Sequence, residues 1–545
     1  MDDQNLTITA RVSVIMVLKF AAARLSVVTT TVFLIIVMAS VSSAERRPNV
    51  VLFLVDDLGA ADLGCTGSEF HRTPHIDALA RSGTLLTQAY AACPVCSPTR
   101  ASVLTGRHPV RVGITDWIPG AKASSFPDGR LAHVDDLNAL PQSETTVAEL
   151  LSDQGYATYF LGKWHLGGQR SAPTDHGFDV NVGGWTFGSP PGGYYSPWKN
   201  PKLQNREPGE YLTTRLTDEA IALINRHGDD RESADADRRG ETSPDADDPP
   251  MFLMLSYYNV HAPIQADRRT VDAFQRDAER FEGPTPVIAE RHGGKQWGQS
   301  RGRQDNPAYA SMVAAVDRSV GRVIDALDRR GLSDDTLVIF YSDNGGLCTL
   351  RQSRRMRNRS GNADPSKRGG AIGPTSNLPH RSGKGWLYEG GIREPAIIRW
   401  PTGIDAAQGN QADFLVSSTD IMPTILDVCG IDPPPTTIDG QTTIDGQSIR
   451  AKLRSDATEP RTLYWHYPHY HGSGWHPGGA IRHGDWKLIE FFETETVELY
   501  DLKNDPSETD DLAERLPDRV ADLQQRLADW RRQTGAVMPG PRASR

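Results

Sequence analysis

Residues 49–57 read Asn-Val-Val-Leu-Phe-Leu-Val-Asp-Asp: an unbroken apolar run from Asn49 to Val55 that stops at Asp56-Asp57. A short apolar run rich in β-branched and aromatic residues suits a strand buried on both faces. The same arrangement recurs along the chain. Tyr156–Leu161 is followed by Lys163 and His165, Met251–Ser256 by His261, and Thr336–Tyr341 by Asp343-Asn344. Helix-like stretches, Thr73–Ser82, Thr145–Gln154 and Ser311–Arg329, separate these runs. Strands alternating with helices predict an α/β fold: a large, mostly parallel or mixed sheet with helices on both faces. In open sheets of this kind sites form beyond the carboxyl ends of the strands, so the polar groups are expected to converge on one crevice.

The chain has 545 residues, enough for one large core plus a second unit. Hydrophobic content of 38% and charged content of 23% are ordinary for a soluble globular protein. A formal net charge of -10 argues against a nucleic-acid partner, which calls for a basic surface, and fits simple solubility. Residues 1–44 read as a targeting segment. Arg11, Lys19 and Arg24 supply positive charge, Leu25–Met38 is mostly apolar, and Ser42-Ser43-Ala44 offers a small-residue cleavage site. The apolar run is short of the ~20 residues a bilayer span needs. The expectation is a signal peptide, export to the periplasm or medium, and a mature chain from Glu45, a retained anchor being the alternative. Export permits disulfides, but pairing among Cys65, Cys93, Cys348 and Cys429 is not readable from sequence. Cys93 reads as packing material.

A main unit over 45–455 and a smaller α+β unit over 456–545 are expected, the second starting near Arg461 after the Pro-rich stretch Pro433–Ile449. Ala480–Phe492 and Thr496–Asp501 predict antiparallel strands. Leu516, Val520, Leu523, Leu527 and Trp530, at helical spacing, predict a closing helix packed on them. His227–Pro250, acidic and poor in apolar groups, reads as a solvated loop, and Gly283–Pro307 as a polar insertion. Arg351–Arg368 is strongly basic. Such a run is a solvated loop by default, but its position between two site segments suits an anionic polymer at the pocket mouth. Tyr464–His471, with Trp475-His476, is rich in aromatics and histidines. It reads as a loop that packs between the units or reaches the leaving-group side of the pocket.

One further stretch carries chemistry: Cys96-Ser97-Pro98-Thr99-Arg100, running on to Leu104-Thr105-Gly106-Arg107. It resembles the signature of the type I sulfatases, the arylsulfatase-like, formylglycine-dependent branch of the alkaline-phosphatase-like superfamily. Asp56-Asp57, Gly162-Lys163-Trp164-His165, His261-Ala262-Pro263, Ser342-Asp343-Asn344-Gly345-Gly346 and Gly383-Lys384-Gly385 with Tyr388–Pro395 follow the family's order, from Asn49 to about Trp400.

The resemblance implies that Cys96 is oxidised to formylglycine by a formylglycine-generating enzyme. The aldehyde hydrate carries two hydroxyls: one takes the sulfuryl group, and deprotonating the other expels sulfate, so one hard step becomes two easier ones. Asp56, Asp57, Asp343 and Asn344, with residue 96, would hold one Ca²⁺, since hard cations prefer carboxylate and amide oxygens. Without the family order these residues read equally as turn and cap formers. By resemblance Arg100 and Lys163 sit close to residue 96 and Lys384 contacts the sulfate, fixed positive charges for the sulfuryl oxygens. His261 matches the residue that protonates the leaving oxygen or binds sulfate, and His165 the one that takes the proton from the second hydroxyl. A family serine that helps bind sulfate should fall near Gly183–Ser189, where Thr186 and Ser189 both remain open. The implied activity is hydrolysis of a sulfate ester, of a sulfated small molecule or glycan. The rivals are a phosphodiesterase or phosphonate monoester hydrolase of the same superfamily and an inactive homologue that binds sulfated glycans. Oligomeric state, sugar and sulfate position are left open.

Overall fold

The computed structural model describes residues 47–542, apart from 122–124, 127, 238–248, 293–294, 352–371, 405–409, 435–436, 439–440, 443 and 455–459. The expected signal peptide and the expected boundary at 455/456 lie outside the described residues. Residues 48–545 cluster as one compact unit.

The first strands are β1 (Asn49–Val55), β2 (Thr84–Tyr90), β3 (Ala157–Gly162), β4 (Val180–Val182) and β5 (Met251–Ser256). β6 (Val287–His292) and β7 (Lys295–Arg301) form a hairpin. β8 (Thr336–Ser342), β9 (Thr349–Arg351), β10 (Arg393–Arg399), β11 (Asn410–Ala412) and β12 (Val416–Ser417) follow, then the two-residue strands β13 (Thr437–Ile438) and β14 (Gln441–Thr442). The last four are β15 (Thr462–Tyr467), β16 (Gly478–His483), β17 (Trp486–Phe491) and β18 (Thr496–Asp501). The helices that shape the core are α1 (Pro74–Ser82), α2 (Cys96–Thr105), α3 (Val147–Ser152), α4 (Leu212–Asp237), α5 (Pro307–Arg329), α6 (Ile421–Val428) and α7 (Pro517–Thr534).

Among the described residues the main sheet has nine strands in the order β11-β2-β10-β8-β1-β5-β3-β4, with β12 also on β2. All its pairings are parallel except those of β10, which runs antiparallel to both β2 and β8. In β1, Val50 pairs with Phe252 on one side and Leu337 on the other. Its side chains alternate between two cores, as the two-residue period of a strand requires. Val50, Leu52 and Leu54 join Leu104 of α2, Leu151 of α3 and Ile425 of α6. Val51, Phe53 and Val55 join Ile76 of α1, Leu216 of α4 and Val316 of α5. Each fully buried side chain of this size contributes about 1.5–3 kcal/mol, which is why β1 can be apolar without interruption.

The second sheet, β15-β16-β17-β18, is antiparallel throughout. Trp465, Tyr467, Ile489 and Phe491 on one face share a core with Tyr90, Trp386 and Tyr388 of the main body. Ile481, Leu488 and Leu499 on the other receive Leu523 and Leu527 of α7, with Leu516, Val520 and Trp530 at the margin. The predicted strand Ala480–Phe492 is therefore a hairpin that turns at Gly484-Asp485.

Three expectations need correction. Thr462–Tyr467 is an edge strand, not part of a loop, because Leu463, Trp465 and Tyr467 alternate into the shared core. Gly283–Pro307 holds β6 and β7, which build a three-stranded sheet with β9. Its polar strand residues satisfy one another, as when Ser300 donates to Glu290 over 2.5 Å. α4 continues to Asp237, so the acidic stretch after His227 begins as helix, while 238–248 lie outside the described residues. Of the basic run only Arg351, at the end of β9, is described. No disulfide joins the cysteines among the described residues.

Candidate active site

β8, β1, β5 and β3 are neighbours in the sheet, so the residues that leave their carboxyl ends meet in one crevice. Cys96 enters it from a different element, as the first residue of α2 after the extended Val95. Ligand-type atoms of Asp56, Asp57, Cys96 and His261 all lie within 4.8 Å of one another. The Lys384 Nζ donates to Asp57 Oδ1 (2.5 Å) and stands 3.3 Å from Cys96 Sγ. Lys163 Nζ donates to Asp56 Oδ2 at 2.6 Å. Asn344 Nδ2 donates to Asp57 Oδ1 (2.8 Å), and the backbone N–H of Asp57 donates to Asp343 Oδ1 (3.2 Å). Gly345 is forced to be glycine here: a Cβ would come 2.0 Å from the carbonyl oxygen of Gly390.

Arg100 lies one turn into α2, fully buried, and its charge faces Asp343: Nε and Nη2 are 2.8 and 2.7 Å from Oδ2. Its Nη1 donates to the Lys163 carbonyl (2.7 Å) and to Ser256 Oγ (2.6 Å). Arg100 therefore ties α2 to the ends of β3, β5 and β8. Ser256 was not singled out in the sequence; as the last residue of an apolar strand it gave no motif signal.

The charges explain one another. Burial opposes ionisation of all these groups. It pushes Asp56 up to about 8, despite Lys163, with Asp343 and Asp57 adding repulsion. Asp57 is also buried, yet Lys384, His261 and Lys163 hold it well below the usual carboxylate range. Burial would pull Lys384 down, but Asp57 and Cys96 hold it above its ordinary value. The Cys96 thiol is pushed up to about 11 by burial, against the pull of Lys163 and Lys384. An unmodified Cys96 is thus a neutral thiol at physiological pH, a poor nucleophile.

The site fits a hard cation. Asp56 Oδ1, Asp57 Oδ2 and Asn344 Oδ1 are buried with no hydrogen-bond partner among the described residues. Each such oxygen costs free energy unless a ligand meets it, and a cation placed among the three would meet them together. An all-oxygen donor set of this kind suits Ca²⁺ or Mg²⁺.

The two histidines differ in tautomer. His165 Nε2 meets the carbonyl of Ile118 at 2.6 Å, so Nε2 carries the proton, and Nδ1, buried and unpartnered among the described residues, keeps a lone pair. Burial and Lys163 hold this imidazole well below its ordinary pKa. His261 Nδ1 meets the carbonyl of Ala262 (2.6 Å), which leaves Nε2 toward Asp57 Oδ2 at 3.9 Å. With 22% of its side chain exposed, His261 marks the mouth of the crevice. The segment Gly183–Ser189 lies beside His165: a Cβ on Gly188 would stand 2.6 Å from the ring, while Thr186 and Ser189 are exposed.

A sequence model of the sulfatase family matches residues 48–431, which carry every one of these groups. The chain belongs to the sulfatase family. Its members are sulfuric ester hydrolases, and this chain is one. A second family description, that of the N-sulphoglucosamine sulphohydrolase C-terminal region, matches residues 382–533. The steryl-sulfatase of Mus musculus is 31% identical over 83% of this chain and 72% of its own length. The N-acetylgalactosamine-6-sulfatase of Sus scrofa is 31% identical over 78% of this chain and 70% of its own. Among solved structures, Ps i-CgsB in complex with k-i-k-neocarrahexaose superposes with a TM-score of 0.65 and 26% identity, over 90% of this chain and 94% of its own. The doubly covered sheet with an antiparallel second sheet is thus the sulfatase fold, as expected from sequence.

Proposed function

We propose that this sulfatase removes sulfate from a sulfated carbohydrate, with formylglycine at residue 96, one Ca²⁺ held by Asp56, Asp57, Asp343 and Asn344, and export directed by residues 1–44. The observation that carries the reading is the convergence of Cys96 with Lys163, Lys384, His261 and three oxygens that are partnerless among the described residues. The carbohydrate assignment draws on relatives whose names specify a sulfated amino sugar or a carrageenan-type oligosaccharide ligand.

Ca²⁺ at these oxygens would supply Lewis-acid polarisation of a sulfuryl oxygen. Formylglycine would supply the hydrated aldehyde as nucleophile. The chain's own residues do the rest. Lys384 and Lys163 present fixed positive charge to the sulfuryl oxygens in a water-poor pocket, where such charge counts most. His165 Nδ1 has the lone pair that a proton acceptor needs. His261, at the mouth, has Nε2 available toward the leaving oxygen. Burial and Lys384 hold its imidazole down to about 3; the negative charge of a bound sulfate ester opposes that pull and favours the protonated form that can donate.

Release of inorganic sulfate from position-defined sulfated mono- and oligosaccharides, beside an aryl sulfate and an aryl phosphate, tests the proposal. The expected result is turnover of at least one sugar sulfate, lost on calcium removal. Turnover of the aryl phosphate alone would overturn it.

A further inference from the structure

One side chain of the second sheet's loops packs against the segment that carries Lys384. His471, in the loop between β15 and β16, packs against Gly385, the residue after Lys384. A Cβ on Gly385 would come within 1.9 Å of His471 Nδ1, and Gly385 has φ 83°, so both space and backbone demand glycine there. The ring is close enough to the site to feel Asp116, Lys384 and Asp57, although burial dominates and pushes it down to about 4.

Its tautomer is fixed. The backbone N–H of Ser473 donates to His471 Nδ1 over 3.2 Å, and Ser473 Oγ lies 2.7 Å from the same nitrogen. Because Nδ1 accepts, the proton of the neutral ring sits on Nε2. The loop holds this arrangement through backbone bonds from His471 N to Trp475 O (3.1 Å) and from Gly474 N to His471 O (3.0 Å). Arg351 N donates to Gly472 O, which joins β9 to the same rim. No described residue takes up Nε2. The geometry leaves a preorganised N–H donor on a half-buried ring, packed against the residue that follows Lys384, the lysine that faces Cys96.

We infer that His471 is a specificity-determining substrate contact, its Nε2–H donating to a hydroxyl or ring oxygen of the sugar that leaves with the sulfate-bearing oxygen. This rests on the carbohydrate reading above. A donor held by its own loop loses little entropy on binding, and a site built to hydrogen-bond a substrate hydroxyl discriminates strongly against analogues that lack it. An aryl sulfate offers no such oxygen.

The test compares kcat/KM for a sugar sulfate and for an aryl sulfate in wild type, His471→Ala and His471→Gln, each checked for folding by its unfolding transition. His471→Ala is expected to lower the sugar-to-aryl ratio by about tenfold or more, chiefly through KM, and His471→Gln, which keeps an N–H near Nε2, to restore part of it. A ratio unchanged in folded His471→Ala, or equal losses on both substrates, would overturn the inference. Wild-type enzyme that cleaves the aryl sulfate and no sugar sulfate would overturn the carbohydrate reading instead.

Discussion

Lys487→Met probes how the second sheet is fastened to the loop that carries Lys384. Lys487 Nζ lies 3.0 Å from Glu389 Oε1 and 2.8 Å from Glu508 Oε1, all three side chains being fully buried. Glu508 Oε2 also accepts from the backbone N–H of Glu389 (2.7 Å). At an effective dielectric of ~20 each contact at such distances is worth ~5–6 kcal/mol of Coulomb energy, largely offset by desolvation. Removing the lysine keeps the desolvation and loses the attraction, so two buried carboxylates are left facing each other. The expected loss is about 3–5 kcal/mol. Guanidinium unfolding followed by tryptophan fluorescence reads it as a lower midpoint at unchanged slope. Glu508 is already pushed up to about 7, burial outweighing Lys487. A carboxyl raised in this way contributes stability that is complete below its unfolded value of 4.5 and is lost as pH rises through about 7. The variant should therefore recover part of its loss at pH 5, and Lys487→Met/Glu508→Gln should recover part of it at any pH. A single variant within 1 kcal/mol or so of wild type, or a double variant no better than the single one, would refute this account of the junction.

Arg100→Met should cost about 3–5 kcal/mol, because Asp343 is left buried beside Asp56 and Asp57. Its sulfate release should fall by ~100-fold or more, and a folded, fully active variant would contradict the clamp described here. Calcium at a hundred times its Kd should add ~2.7 kcal/mol, seen as a rise in Tm that chelation reverses. Asp56→Asn should blunt that response, which differential scanning calorimetry with and without chelator can follow.

The main sheet and its crevice were legible because the decisive signals are local. Val55 stops and Asp56 begins; Gly162 stops and Lys163 begins. The second sheet's edge strand was not, since Tyr464, Trp465, His466 and Tyr467 carry polar tips that mask a two-residue period visible only once Trp465 and Tyr467 are seen buried. The strands of 287–301 were missed for a related reason. Glu290 and Ser300 are buried polar residues whose mutual hydrogen bond replaces the apolar signal a strand ordinarily gives. His471 stood within a stretch noted for histidines, but nothing in its neighbours' identity places it against Gly385. That contact joins segments 86 positions apart in sequence (471 minus 385), and only the fold brings them together.

The central claim is that Cys96, once converted, drives sulfate release. The decisive measurement is the rate of sulfate release from a sugar sulfate in preparations whose converted fraction at the Cys96 peptide is read by mass spectrometry, with Cys96→Ala as the zero point. A rate proportional to the fraction carrying the aldehyde, and none in Cys96→Ala, is the result expected. Release by Cys96→Ala at the wild-type rate would contradict it.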